Sequence, residues 1–136
     1  MHKIIKLLLL TLFFSVQIKA QHTNLAKANA LYSEEKYSAA QDLFQHVIIN
    51  ERTNEQANYY NAKCSKELFA SDAIFLYEQF LSAFPYTSFI QLVNKDLALL
   101  YYRDLDYPKA INYFLQFNSL EQHPDLVFKL AYANFS

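Results

Sequence analysis

The sequence predicts an all-α fold built of antiparallel helical hairpins, and three observations carry that prediction. None of the 136 residues is glycine, where a chain of this length ordinarily holds about nine or ten. Glycine supplies the positive φ of tight primed turns, so its absence disfavours hairpin-rich β folds and costs a helical chain little. Three segments share one template of a small residue, an aromatic four on and a large apolar residue three further: Ala40/Phe44/Val47, Ala73/Tyr77/Phe80 and Ala110/Phe114/Phe117. A second alanine series, Ala28, Ala62, Ala98 and Ala131, runs ahead of the first at spacings of 34, 36 and 33 residues. Two helices of about 14 residues joined by a tight turn produce this offset, with small residues where the paired helices touch.

Residues 1–20 read as a signal peptide. Lys3 and Lys6 make a basic start, Leu7 to Val16 form a short apolar core, and Ala20 is the expected cleavage point, with Gln21 as the new N-terminus. Ten apolar residues fall short of the ~30 Å hydrocarbon core, so membrane contact is expected only through this segment if it stays uncleaved. Cleavage removes Lys3, Lys6 and Lys19 and no acid, taking the balance from 12 basic and 13 acidic residues to 9 and 13, a formal charge of −4. Nucleic-acid binders carry clustered Lys and Arg, so no nucleic-acid partner is expected. Cys64 is the only cysteine. It forms no internal disulfide and is expected as a small buried hydrophobe on an apolar helix face.

Residues 21–136 divide into units of about 22–53, 54–86 and 87–122 and the start of a fourth at 123–136. Helices are expected near 22–34 and 37–50, 54–69 and 71–84, 87–103 and 107–118, with a further helix from about 124. Ser33 to Lys36 is a polar break between apolar runs of helical period, hence the first turn. In the second unit Ser71 and Asp72 offer cap oxygens, and Phe84-Pro85-Tyr86-Thr87-Ser88 closes one unit and opens the next. In the third, Asp106 caps a helix whose first turn holds Pro108. His123-Pro124-Asp125 opens the last helix in the same way.

Tyr37-x2-Ala40-x3-Phe44, its counterpart Tyr107-x2-Ala110-x3-Phe114, and Ala73-x3-Tyr77 with Phe84-Pro85 closing the unit resemble the tetratricopeptide repeat, in an exported bacterial form. The resemblance covers roughly residues 22–136 and implies a right-handed α-solenoid whose first helices line a concave groove for a protein or peptide. The family often has Gly where Ala28, Ala98 and Ala131 stand, and again in the turn at Glu35 and Leu105. Carried over residue by residue, the groove candidates are Asn29, Tyr32, Asn58, Lys95, Leu99, Tyr102, Arg103, Phe128 and Tyr132, with His22, Leu25, Glu55 and Ala62 beside them. The subgroup that clamps a C-terminal carboxylate needs Lys or Arg where Leu25, Leu92 and Asp96 stand, so a generic apolar and aromatic surface is the better fit.

No constellation points to chemistry. Asp104 and Asp106 sit in a turn, where Asp favours capping. His22 and His46 lie on different helices of the first unit and His123 opens the fourth, with no His or Cys three or four residues on, so no metal or other cofactor is expected. The 11 Tyr and 12 Phe fall mostly on the repeat template and serve packing. At the C-terminus Leu126, Phe128, Leu130 and Phe135 form an apolar face with no second helix behind it. The chain therefore reads as an N-terminal fragment of a longer repeat protein, with self-association through this helix as an expected partner mode. The leading function is a non-catalytic scaffold of the bacterial envelope, in the periplasm. A component resembling the repeat lipoprotein of outer-membrane assembly, and the recruitment module of a larger enzyme or receptor, remain open beside it.

Overall fold

The computed structural model describes the backbone of all 136 residues and the side chains of residues 1, 3–10 and 23–136. Its elements are α1 (His2–Ser33), α2 (Tyr37–Asn50), α3 (Glu55–Glu67), α4 (Ala73–Ala83), α5 (Ile90–Arg103), α6 (Tyr107–Leu115), a 3-10 turn (Leu120–Gln122) and α7 (Pro124–Phe135). No strand occurs among the described residues. Two compact bodies result, Met1–Ala70 and Ser71–Ser136. In the first, α1 packs on α2 and α2 on α3; in the second, α4 packs on α5, α5 on α6 and α6 on α7. The expected cleavage point at Ala20 and Gln21, and the groove neighbour His22, lie outside the described side chains. Among the described residues no helix is long and apolar enough to cross a membrane.

One turn design stops α1, α3 and α5. The first residue past each helix cap, Glu35, Phe69 and Leu105, holds the left-handed conformation, with φ of 59°, 55° and 63°. Its N–H donates to the carbonyl of Tyr32, Lys66 or Tyr102, and the next N–H donates to Leu31, Ser65 or Tyr101. This paired pattern is the Schellman motif, which satisfies the carbonyls a helix end leaves open. Non-glycine residues pay for it in strain of about 1–2 kcal/mol each.

The helix starts beyond these turns differ. The helices α2 and α6 begin three residues before their template alanines, at Tyr37 and Tyr107, whereas α4 begins at Ala73 itself. Asp106 Oδ1 accepts the N–H of Lys109 at 3.3 Å as expected, and Asn54 Oδ1 accepts that of Ala57 at 2.9 Å. Asp72, expected to cap α4, stands at the N-cap without a side-chain cap bond. Thr87 Oγ1 instead accepts the Phe89 N–H at 3.1 Å, turning the chain after Pro85 into α5.

All nine template residues, from Ala40 to Phe117, are buried. In the first body Ala40, Phe44 and Val47 of α2 form one cluster with Ala28, Ala57 and Cys64. Ala28, Ala62 and Ala98 are fully buried, but Ala131 is exposed. The register explains the exception. Counted from each series alanine, the residues five before, one before and two after are Ala57, Asn61 and Cys64 in α3, Val93, Leu97 and Leu100 in α5, and Leu126, Leu130 and Ala133 in α7. All are buried except Leu130, which is half-buried. In α3, Ala57 and Cys64 join the cluster with Ala40, Phe44 and Val47 of the preceding helix, and α7 packs on its preceding helix α6. Ala28 packs with Ala40, Phe44 and Val47 of the helix that follows it, and among the described residues no helix follows α7. Leu126 and Leu130 are thus packed, and the expected four-residue bare face is corrected to one that includes Phe128 and Phe135 but not them.

Ala110 is fully buried where α5 and α6 pack, so Ala110→Leu should cost ~1–3 kcal/mol by overpacking, against less than ~0.5 kcal/mol for exposed Gln79→Ala, as read by urea unfolding. Leu105→Gly should raise stability by ~0.5–1 kcal/mol, because relief of the left-handed strain exceeds the entropy glycine loses on folding. A destabilised Leu105→Gly would show that the exposed leucine side chain matters more than the backbone.

Candidate functional site

The nine groove candidates fall in two groups. On the first body, Tyr32 near the end of α1 packs its ring edge-on to Tyr37, the first residue of α2, with centroids 5.3 Å apart, and to Tyr60 of α3 at 4.9 Å. Tyr60 stacks on Phe44 at 5.5 Å and meets Tyr59 at 5.0 Å. Aromatic pairs at these separations add ~0.5–1.5 kcal/mol beyond area burial. Asn29 Oδ1 accepts from Gln56 Nε2 at 3.5 Å, a contact between α1 and α3. The Asn58 amide nitrogen donates to the carbonyls of Arg52 at 3.1 Å and Asn54 at 2.9 Å, so it secures the start of α3.

On the second body the same tyrosine pair recurs. Tyr102 near the end of α5 meets Tyr107, the first residue of α6, at 5.7 Å and Phe114 at 6.5 Å. Tyr132 of α7 closes the group, 6.2 Å from Tyr102 and 6.1 Å from Tyr107. Leu99 is half-buried one turn before Tyr102. Lys95 Nζ lies 6.0 Å from the Phe117 ring centroid, a cation–π contact. Arg103 is exposed, with Nε 2.8 Å from Asp104 Oδ1. Phe128 is exposed and stands one turn before Tyr132 on α7. Three neighbouring expectations are corrected. Ala62 is fully buried and offers no groove surface, and Leu25 packs against the core cluster. Asp104 is the C-cap of α5 and pairs with Arg103 instead of capping a helix start.

The tyrosines are neutral surfaces. Burial, reinforced by Glu67, pushes the Tyr32 phenol well above its ordinary range, and burial followed by the hydrogen bond to Glu78 does the same for Tyr101. Tyr107 is raised by burial and then by Tyr132 and Tyr102. Tyr32 and Tyr107 therefore present flat rings and protonated hydroxyls, suited to apolar stacking and to hydrogen bonds with peptide carbonyls.

Two polar links between helices, one buried and one part-buried, have no sequence signature of their own. The Tyr77 hydroxyl donates to Asp96 Oδ2 at 2.7 Å between α4 and α5, and the Tyr101 hydroxyl donates to the Glu78 carboxylate across the same helix pair. Asp96 thus turns inward where a carboxylate clamp would need an outward cation. The available signal was a lone acid two residues before Ala98, at the start of the apolar run Leu97 to Tyr102. Asn94 Nδ2 donates to the Gln116 carbonyl at 3.4 Å, while the Oδ1 atoms of Asn94 and Asn61 and Oε1 of Glu55 are buried without a partner. Among the described residues no three His, Cys, Asp or Glu side chains gather as a metal site would require. No protein-family model and no curated protein matches the sequence.

Cys64 lies fully buried in the first core cluster, and burial, followed by Glu67, pushes its thiol up to about 12. The thiolate is the reactive form, so a thiol reagent at pH 8 should label the folded chain only as fast as it opens, and at once in urea. Above pH 9 the unfolded thiol ionises while the folded one keeps its proton, so the unfolded state binds fewer protons and stability should fall as pH rises. Rapid labelling of the native chain at pH 8 would contradict this burial.

Proposed function

We propose that the chain is a non-catalytic protein–protein interaction scaffold of the bacterial cell envelope, a right-handed solenoid of tetratricopeptide-like hairpins that binds protein or peptide on the faces of its first helices. The observation that carries the reading is the repetition of one turn design at Glu35, Phe69 and Leu105, 34 and 36 residues apart, each seven residues after a buried alanine of the first series, Ala28, Ala62 and Ala98. A repeat of that length is one supersecondary unit, and stacked units present recurring surfaces to extended partners. The recurring surface here is the tyrosine group, Tyr32 and Tyr37 with Tyr60 on one body, Tyr102 and Tyr107 with Tyr132 on the other. Lys3, Lys6 and the apolar run after them support export, with cleavage after Ala20.

A peptide selected from a displayed library on the full chain supplies the test. Calorimetric titration of that peptide should weaken about 5- to 30-fold on Tyr132→Ser, as for an aromatic interface anchor, and remain unchanged for Glu51→Ala. Failure to select any peptide, or binding indifferent to Tyr132→Ser and Arg103→Glu alike, would remove the groove. Export is read separately: expressed in a bacterium, the periplasmic product should have the mass of a chain beginning at Gln21.

A further inference from the structure

Side chains of α4, α5 and α6 meet in the second body as a charged and aromatic cluster that the groove candidates do not include. Its centre is the buried Tyr101 ring of α5, stacked on Tyr113 of α6 with centroids 5.8 Å apart and planes 6° from parallel. The Tyr101 hydroxyl donates to Glu78 Oε1 of α4. Burial first, and Glu78 next, hold the Tyr113 phenol above its ordinary range, so the carboxylate acts on both hydroxyls and Tyr113 keeps its proton. One cation already stands at the rings: Lys109 Nζ lies 4.8 Å from the Tyr101 centroid and 3.4 Å from Asp106 Oδ2. Asp106 thus matches Lys109, whereas Glu78 has no ion-pair partner among the described residues. One turn before Glu78 on α4, Phe75 is 58% exposed, and its ring meets no other ring among the described residues.

We infer that Phe75, Glu78 and Tyr113 form a binding site for the guanidinium group of an arginine side chain presented by a protein partner. Charge complementarity selects a cation. Glu78 is exposed and its charge is unmatched, and aromatic ring faces attract the same sign. Lys109 over Tyr101 is an instance of that contact within the cluster. Shape then selects a guanidinium over an ammonium. Glu78 Oε1 accepts from Tyr101, which leaves Oε2 for an incoming N–H, and the Tyr113 hydroxyl oxygen, with no hydrogen bond among the described residues, takes a second. A planar fork of donors serves both acceptors while its flat face lies on the exposed Phe75 ring; an ammonium has no flat face to stack. Glu78 and Tyr113 belong to second helices, so this site stands apart from the groove of the first helices and does not depend on it.

The probes are acetyl-arginine amide, acetyl-lysine amide and acetyl-citrulline amide, whose blocked ends stand for a residue within a chain. Each is titrated into the isotope-labelled full chain and followed by NMR shifts at residues 75–78 and 109–113. Saturable shifts are expected with the arginine amide, weaker binding with the lysine amide, and none with the citrulline amide, which keeps the planar shape without the charge. Glu78→Gln keeps an acceptor for the Tyr101 hydroxyl and removes the charge. It should weaken arginine amide binding about tenfold while circular dichroism keeps the parent's helicity. Phe75→Ser, at an exposed position, should weaken it about 2- to 5-fold. Glu121→Gln, an exposed acid elsewhere in the second body, should change nothing. Tyr132→Ser should also leave the shifts as they are, which separates this outcome from a failure of the groove. No saturable shift with the arginine amide would overturn the proposal. So would binding that survives Glu78→Gln, or a citrulline amide that binds as well. Lysine amide binding as tightly as arginine amide would reduce the site to a bare charge contact, and free arginine binding more tightly than its blocked amide would give the site to the amino acid; either result overturns the assignment.

Discussion

The turn that reverses the chain after each first helix is the constraint on which the other features depend. A helix ending in a left-handed residue redirects the backbone within two residues, and the two hydrogen bonds of the motif fix where the next helix starts relative to the last. In the first and third turns that geometry brings the tyrosine two places before the cap, Tyr32 or Tyr102, against the tyrosine two places after the left-handed residue, Tyr37 or Tyr107. Ring contact across the turn and template burial along the pair are then one event. Neither a strand nor a longer loop places those four residues in contact. The absence of glycine exposes the balance within the design: local strain of about 1–2 kcal/mol per turn is held by packing of the helices on either side.

The second turn shows how much the flanking residues matter. Its hydrogen bonds are the same, with Phe69 left-handed and its N–H on Lys66. Yet Lys66 and Ser71 occupy the places of the two tyrosines, and α4 starts at its template alanine instead of three residues earlier. The boundary between the two compact bodies falls at this turn, between Ala70 and Ser71. A turn motif sets direction; the pair of rings across it adds the contact that ties two helices into one body.

Legibility in the sequence followed the same division between repeated and singular features. Helix number, order and most boundaries were readable because each rests on a periodic signal: α2 and the C-terminal end of α5 fall where the spacing puts them, and every template residue is buried. Asp106 was readable because a cap followed by Pro has a local signature. Asp72 was not, since whether an N-cap carboxylate reaches a backbone N–H depends on the entry angle of the chain and not on residue type. The buried Tyr77–Asp96 link was hidden for another reason. A single acid in a helix reads as solvent-facing unless the facing residue on another helix is known, and that pairing is tertiary. The candidate site suffered similarly: Asn29 and Asn58 share a residue type, but one bridges two helices and the other secures its own helix start.

The two ends of the repeat register explain why exposed surface concentrates where it does. The helix α1, which no earlier helix packs against, leaves Thr23, Lys27 and Ala30 exposed at the places that Ala57, Asn61 and Cys64 occupy inside α3. Those residues are mostly polar or small, so water solvates that face at little cost. On α7 the exposed places include two phenylalanines, Phe128 and Phe135, whose solvation costs ~25 cal/mol per Å² of apolar area. The exposed places of α1 and α7 thus differ in chemistry: those of α1 are polar or small, and those of α7 include two aromatic rings.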